Sequence, residues 1–410
     1  MKVHFIGVGG IGVSALAQYY LSEGHKVSGS DLAHSEIIDF LRKKGVKITN
    51  KASKEADLII YSPAVSDPPA KAKSYPEALG ELTRKYFTIA VSGTHGKSTT
   101  AAMISLILTK AGLDPTVIVG VKLKEFNNSN FRKGKSKYLI IEADEWQASF
   151  LNYRPKIIVL TNIEREHLDY YKNLAHILKT YKKYVNYLSS AGLLILNGDD
   201  KNISKIKFQI SKPEFKIQNY SLSEKESSKL RKILKVPGEH NIYNGLAALK
   251  TARVLGVSDK IIFQALGEYR GAWRRFEIVK KGKLKIIHDY AHHPTEVEAC
   301  LKGARQKFPD KKIWCLFQPH QYQRTFYLFS DFIRVFSSCP VDKIIITDIF
   351  DVAGREKKDI RKKVSSEKLA RAVKGALFLP KSKIKEYLKN NLKGGEILMV
   401  MGAGDIYRLF

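Results

Sequence analysis

The sequence predicts an α/β fold built on parallel sheets, and three observations carry that prediction. Short, continuously apolar runs alternate with helical patterns along the chain, as expected of strands buried on both faces. Nearly every run ends in a polar or glycine cluster, and parallel sheets place their ligand sites at those strand ends. At 410 residues the chain has the length of two or three domains. Boundaries are read near Lys85 and Gly271, giving domains 1–86, 87–271 and 272–410.

In order, the strand-like runs begin with VHFIGV (3–8), KVSGSD (26–31) and DLIIYS (57–62). FTIAVSG (87–93), KYLIIEADE (137–145), KIIVLTNIE (156–164) and GLLILNGDD (192–200) form a second series. KIIHDYAHH (285–293), KIWCLFQPH (312–320), KIIITDIF (343–350) and EILMVMGAGD (396–405) form a third. The stretch 201–235 is charged, Ser-rich and poorly periodic, and gives the weakest pattern. No fixed-period repeat and no low-complexity tract is present.

Hydrophobic residues make up 44% of the chain, which excludes global disorder. The formal net charge is +30, spread along the length rather than gathered in a tail. It fits a lysine-rich composition, an enzyme of polyanionic substrates, or non-specific contact with nucleic acid. Cys300, Cys315 and Cys339 are widely spaced with no CxxC pair, so neither a zinc site nor a disulfide framework is encoded, and a reducing, cytoplasmic compartment is expected. No signal-peptide core precedes Gly7, and no apolar run approaches the ~18 residues a bilayer requires.

Gly7-Val8-Gly9-Gly10-Ile11-Gly12 follows the first strand and opens a helix over Ile11–Ser22. The G-x-G-x-x-G spacing permits a tight turn and close backbone approach to a phosphate at the helix N-terminus. Asp31 ends the second strand, where a dinucleotide fold places its ribose-binding acid. A dinucleotide or the diphosphate of a UDP compound both fit this loop.

The most specific signal is Gly93-Thr94-His95-Gly96-Lys97-Ser98-Thr99, a glycine turn that ends in Lys-Ser and leads into a helix over 99–110. Backbone amides would cradle phosphates, Lys97 would bridge the β and γ phosphates of ATP, and the Ser98 hydroxyl would ligate Mg²⁺. The longer P-loop pattern requires glycine at position 91, and this chain has Val91. Glu142, at the end of the next buried run, is placed to complete the magnesium site. His167, one strand further on, is the candidate ligand of a second ion, while Asp144 and Glu145 read equally as solvated loop charges.

Taken together, GVGGIG, GTHGKSTT, EADE, TNIEREH, PGEHNIYN (237–244), RRFE (274–277), DYAHHPTE (289–296), QPHQYQRT (318–325) and MGAGD (401–405) strongly resemble the Mur ligase family. The resemblance covers most of the chain. It implies a Rossmann-like N-terminal domain that binds a UDP-sugar, a central P-loop ATPase domain, and a Rossmann-like C-terminal domain that brings in an amino acid. It implies ATP-dependent joining of L-alanine to UDP-N-acetylmuramate through an acyl phosphate, with ATP and two Mg²⁺ ions. Gly9, Gly10, Ile11, Gly12, Asp31 and Ser62 match the UDP-sugar side. Asn244, Arg275 and Asp289 match positions that reach ATP; Tyr290, His292 and Arg324 match the amino-acid side, with His292 a candidate base for the amine. Asn241 reads equally as a cap residue, and His293 equally as a local cap or a catalytic group. Arg324, after a strand with His320, is suited to bidentate pairing with a carboxylate. The expected partners are these small molecules, with no specific nucleic acid and no membrane, in a monomer or homodimer.

Departures from the family pattern are Trp146 in place of a usual Ser, Glu166 in place of a usual Asp, a shortened region between Asn197 and Val236, and an end at Phe410 without the usual closing helix. A sister ligase that attaches L-alanyl-γ-D-glutamyl-meso-diaminopimelate shares the motifs, but usually departs from GxGGIG and has Phe at the position of Tyr290. A nicotinamide oxidoreductase explains only the first loop, and a basic nucleic-acid-binding ATPase only the charge and the second loop; neither accounts for DYAHHPTE or QPHQYQRT.

Overall fold

The computed structural model describes residues 1–51, 55–209, 214–281, 284–352 and 358–410. The chain forms two compact units, one of Met1–Arg165, Asn173–Leu234 and Ile242–Tyr269, the other of Glu166–Lys172, Lys235–Asn241 and Arg270–Phe410. Three sheets with helices between their strands organise them, two in the first unit and one in the second.

The first sheet has five parallel strands in the spatial order Lys47–Thr49, Lys26–Ser30, Lys2–Ile6, Leu58–Tyr61 and Lys73–Ser74. Its strand order reverses beside Lys2–Ile6, which leaves a crevice at the carboxyl ends of Lys2–Ile6 and Leu58–Tyr61. Val3 and Phe5 are fully buried, and so is His4, whose ring nitrogens lie 2.8 Å from Ser28 Oγ and 3.2 Å from Ser30 Oγ.

The second sheet has seven strands, in the order Lys216–Tyr220, Leu193–Asn197, Ile157–Leu160, Phe87–Ser92, Tyr138–Ala143, Thr116–Leu123 and Ser129–Arg132. All pairs are parallel except the last, an antiparallel hairpin. The unbroken runs IIVL and LLILN are buried along their whole length, which fits a sheet covered on both faces. Strand Lys216–Tyr220 and helices Lys201–Gln209 and Lys225–Ile233 occupy the stretch of weak sequence pattern.

A buried polar network ties the hairpin to the helix Ile11–Ser22. Gln18 Nε2 donates to Asn130 Oδ1 at 2.8 Å, and Ser129 Oγ donates to Gln18 Oε1 at 2.9 Å. Asn130 Nδ2 donates to Ser14 Oγ at 2.9 Å and to the Ile11 carbonyl.

In the second unit a six-stranded sheet runs Glu277–Lys281, Leu284–Asp289, Ile397–Met401, Ile313–Phe317, Lys343–Ile346 and Ala376–Phe378, parallel apart from its first pair. Phe317, Val297, Leu301, Phe332 and Met399 are central to the core on one of its faces, Leu316, Leu398 and Ile384 on the other. The tips of Leu284–Asp289, Ile313–Phe317 and Ile397–Met401 carry DYAHH, QPHQYQR and GAGD to one end of this sheet. Among the described residues, no helix is long and apolar enough to cross a membrane.

Candidate active site

The first glycine loop leaves the central strand of the five-stranded sheet at the point of reversal. Gly7 has φ of 74°, a conformation that glycine adopts without strain, and the Gly7 and Val8 amides donate to the Ser30 carbonyl at 2.8 and 3.1 Å. A Cβ on Gly7 would meet Cβ of Ser62 at 2.8 Å. Asp31 accepts the Gly9 amide at 2.8 Å and the Ala33 amide at 3.1 Å, so its carboxylate shapes the loop from behind. Helix Ile11–Ser22 starts after Gly10 and aims its N-terminal amides at the crevice. Gly12 lies under Tyr75, and a Cβ there would sit 3.0 Å from the phenol oxygen. Tyr75 is the first residue of helix Tyr75–Lys85, whose start is fixed by a Ser74–Glu77 capping box and Pro76. Burial pushes the Tyr75 phenol above its ordinary pKa, and the nearby charges of Glu142 and Asp144 push it further.

The second loop follows strand Phe87–Ser92. Val91 is a fully buried strand residue, paired with Glu142, which is why a side chain stands where a longer loop would need glycine. Gly93 and Gly96 have φ of 130° and 81°. A Cβ at Gly93 would strike Thr161 Oγ1, and one at Gly96 would strike Asn244 Oδ1. The next strand end clamps the turn: Thr161 Oγ1 donates to the His95 carbonyl at 2.6 Å, and Asn162 Oδ1 accepts the His95 amide at 2.8 Å. The His95 ring lies 3.3 Å from Glu164, and Thr94 Oγ1 accepts the Glu164 amide at 2.9 Å. Asn244 Oδ1 accepts the Thr100 hydroxyl at 3.1 Å, which seats this carboxamide against the helix Lys97–Lys110.

Lys97 Nζ donates to the Gly93 carbonyl at 2.6 Å and to Glu145 Oε2 at 2.8 Å, with Asp144 at 3.6 Å. Burial alone would lower the Lys97 pKa; Glu145 and Asp144 outweigh it and hold the ammonium charged. Glu145 is itself buried, and burial pushes its carboxyl upward while the ammonium of Lys97 pulls it down. The reading of Glu145 as a solvated loop charge is therefore corrected: its side chain is 3% exposed, whereas that of Asp144 is 51% exposed. Ser98 Oγ donates to Glu142 Oε2 at 2.8 Å, and Glu142 also takes the Gly120 amide. A hydroxyl and a carboxylate side by side are hard oxygen donors that suit Mg²⁺. Trp146 is buried just beyond, followed by Gln147 and Ala148 at φ of 50° and 54°, two side-chain-bearing residues in the left-handed region.

Thr161, Asn162, Gly120 and Tyr75 were not singled out by the sequence. Thr161 and Asn162 lie inside the TNIEREH motif, but nothing local shows that they brace a loop 67 residues away.

In the second unit, Asp289 accepts the Phe276 and Ala291 amides, each at 2.8 Å. Burial raises its carboxyl, opposed by Arg275 and by these amides. The Arg274 and Arg275 guanidinium groups lie 4.8 and 4.9 Å from the Tyr290 ring. His292 Nδ1 is 3.0 Å from the Tyr290 carbonyl and 3.1 Å from Glu296 Oε2; both partners only accept, so Nδ1 carries the proton. His293 caps helix Pro294–Lys307 in a capping box with Glu296. Asn241 Nδ2 donates to the Pro237 carbonyl at 2.6 Å.

Arg324 is buried against Glu166, with Nε and Nη2 at 3.0 and 2.9 Å from one carboxylate oxygen. Burial would raise the Glu166 carboxyl; Arg324, then His167, His293 and His292, hold it well below the usual glutamate range. Breaking a buried pair of this kind costs about 3–5 kcal/mol. His167, on the same Glu166–Lys172 segment, has φ of 53° and donates its amide to Glu166 Oε1 at 3.0 Å.

Profiles described as Mur ligase family catalytic domain, Mur ligase middle domain and Mur ligase glutamate ligase domain match residues 2–87, 91–252 and 274–404. The UDP-N-acetylmuramate–L-alanine ligases of Acetivibrio thermocellus and Clostridium acetobutylicum are each 40% identical to the chain, over 99% and 100% of it and 94% and 96% of their own lengths. The crystal structure of a UDP-N-acetylmuramate–alanine ligase from Thermotoga maritima superposes with a TM-score of 0.78 at 26% identity, covering 100% of this chain and 97% of that one. Three successive domain matches, full-length identity and a shared fold agree with the two glycine loops and the strand-end motifs: the chain belongs to the Mur ligase family.

Proposed function

We propose that this chain forms the amide bond between the muramyl carboxylate of UDP-N-acetylmuramate and the amine of L-alanine, driven by ATP, in the cytoplasmic synthesis of peptidoglycan precursors. The observation that carries the reading is the Lys97–Ser98–Glu142 cluster on the second loop, in a chain alike over its full length to ligases named for that reaction. Residues 1–86 are assigned to the sugar nucleotide, 87–271 to ATP and 272–410 to the amino acid.

The amides of Gly9, Gly10, Ile11 and Gly12 would meet the UDP diphosphate, with Asp31 and Ser62 shaping that crevice. Gly93, Thr94, His95, Gly96, Ser98 and Thr99 would enclose the ATP phosphates, with Asn244 on the adenine and Arg275 and Asp289 reaching in from the third domain. Lys97 would neutralise the transferring phosphoryl group. Ser98, Glu142 and His167 would hold two Mg²⁺ ions, which supply charge neutralisation on the phosphates when bound. The muramyl carboxylate oxygen attacks the γ-phosphorus and ADP leaves, giving an acyl phosphate. The amine then attacks the acyl carbon and phosphate departs. His292, with Nδ1 protonated toward Glu296, offers Nε2 to take the amine proton. Tyr290 and Arg324 would line the amino-acid side. The net charge of +30 favours approach of these anionic substrates. The enzyme is assigned as a monomer or homodimer with no specific nucleic-acid partner.

Phosphate release is expected only when UDP-N-acetylmuramate, ATP, Mg²⁺ and L-alanine are present together. Release with L-alanyl-γ-D-glutamyl-meso-diaminopimelate and none with L-alanine would transfer the assignment to the sister ligase.

A further inference from the structure

Arg324 carries five N–H groups and no acceptor. Nε and Nη2 donate to Glu166 Oε1, and Nη1 faces His320 Nδ1 at 3.0 Å and the His320 carbonyl at 3.2 Å. A guanidinium only donates, so His320 Nδ1 must accept, and a ring nitrogen that accepts bears no proton. His320 is therefore held as the neutral imidazole with its proton on Nε2. The ring is fixed in the plane as well: it stacks on Phe350 at 5.5 Å and 9°, and stands edgewise to His292 at 5.8 Å.

Glu166 is what keeps this chain of contacts in place. Its carboxylate and the Arg324 side chain are 9% and 6% exposed, so neither swings freely into solvent. Removing the carboxylate would take the paired charge from a buried guanidinium, leaving Glu296 as a more remote carboxylate and histidines 167, 292 and 293 around the vacated position.

We infer that Glu166 is a positioning residue for the acceptor amino acid: it fixes the Arg324 guanidinium that receives the acceptor's carboxylate and, through Arg324, keeps His320 Nδ1 an acceptor and so sets the Nε2–H tautomer of that ring. This rests on the reading that Arg324 lines the amino-acid side. Glu166 touches neither the amine nor the phosphoryl group in this assignment. Its loss should therefore appear in acceptor binding rather than in acyl-phosphate formation.

The test uses the full chain with Glu166→Gln and Glu166→Asp. Phosphate release is measured against L-alanine and against L-alaninamide, an acceptor without the carboxylate. Glu166→Gln should raise the KM for L-alanine ~10-fold or more, as expected for loss of a charge-assisted contact. The KM values for ATP and UDP-N-acetylmuramate should change less than ~2-fold. Glu166→Asp should recover part of the loss. With L-alaninamide, Glu166→Gln should behave as wild type. Nitrogen-15 spectra of the histidine rings, with His320 assigned by His320→Gln, should show the Nε2–H tautomer in wild type and its loss in Glu166→Gln.

An unchanged L-alanine KM, an equal rise in all three KM values, or an equal penalty with L-alaninamide would overturn the inference. If Glu166→Gln does not fold, Glu166→Asp is read by the same ratio of L-alanine to L-alaninamide. A wild-type enzyme that releases no phosphate with L-alanine refutes the proposed reaction instead, and the ring spectra then still decide whether Glu166 sets the tautomer.

Discussion

The loops at 7–12 and 93–98 both leave a buried parallel strand beside a point where strand order reverses, and both lead into a helix. They are finished with different chemistry. The first is backbone almost throughout, and its acid, Asp31, turns inward to hold the Gly9 amide. The second ends in Lys97 and Ser98, faced by Glu142 and Glu145. A loop of amides can bind and orient an anion, whereas a loop with an ammonium and paired oxygen donors can also follow charge as it moves between oxygens. Binding and phosphoryl transfer are thereby separated between two similar pieces of backbone.

The largest expected effect tests that separation directly. Lys97→Ala should lower kcat by ~10²–10³ at any magnesium concentration, the usual cost of losing one electrostatic contact to a transition state. Calorimetric binding of UDP-N-acetylmuramate should survive it; lost sugar-nucleotide binding would show that the two loops do not divide the work. Next in size are the oxygen and imidazole donors. Glu142→Ala and His167→Ala should both raise the Mg²⁺ requirement, Glu142→Ala the more severely because it removes charge, and His167→Ala should regain part of its rate at high Mg²⁺. A His167→Ala enzyme with wild-type rates at limiting Mg²⁺ would remove His167 from the metal set.

A smaller effect belongs to the first loop. Gly12→Ala places a methyl 3.0 Å from the Tyr75 oxygen, and overpacking of that order costs ~1–3 kcal/mol. It should raise the KM for the sugar nucleotide while leaving the KM for ATP alone; the opposite pattern would break the comparison. The smallest effect concerns the strands beneath the loops. His4 sits buried under the first, while Ile89, Ala90 and Val91 sit under the second. Burial holds the His4 pKa below 6.5, so its contribution to stability is full above pH 6.5 and is lost as pH falls toward its lowered native value. The protection free energy of the Val3–Phe5 amides, taken from hydrogen exchange after correction for the intrinsic pH dependence of exchange, should fall below pH 6.5 by at most about 1.4 kcal/mol per pH unit, and His4→Gln should flatten the dependence. Equal acid sensitivity at Ile89–Val91 would show that His4 is not its source.

Much of this could be read before the structure. Continuous runs such as FTIAVSG and KIIVLTNIE announce parallel strands because nothing along them needs water. The run TVIVGVKL is as apolar but lies outside the series of runs named above; it forms Thr116–Leu123 and supplies the Gly120 amide to Glu142. Strand Lys216–Tyr220 could not be seen in the same way: it lies at the sheet edge, and KIQNY leaves most of its side chains outside the core. The loop motifs were legible because phosphate binding demands glycine and lysine at fixed offsets. The bonds that hold those loops were not. Glu145 on Lys97 and Glu166 on Arg324 depend on which strand ends meet, a property of topology rather than of neighbouring residues.

The network among Gln18, Ser129, Asn130 and the Ile11 carbonyl has a bearing on how freely this chain can be cut and recombined. A break drawn at residue 86 falls between two sheets, but it separates Asn130 from the carbonyl that opens the first-loop helix and Gln18 from both its side-chain partners. Those groups are buried, so a fragment ending there would expose or strand them. Exchange of the amino-terminal segment with that of another ligase would need to carry hairpin Thr116–Arg132 with it, or match its two polar residues. The module that can be inherited as one piece is discontinuous in sequence: a glycine loop at one end and, more than a hundred residues later, the asparagine that keeps its helix in place.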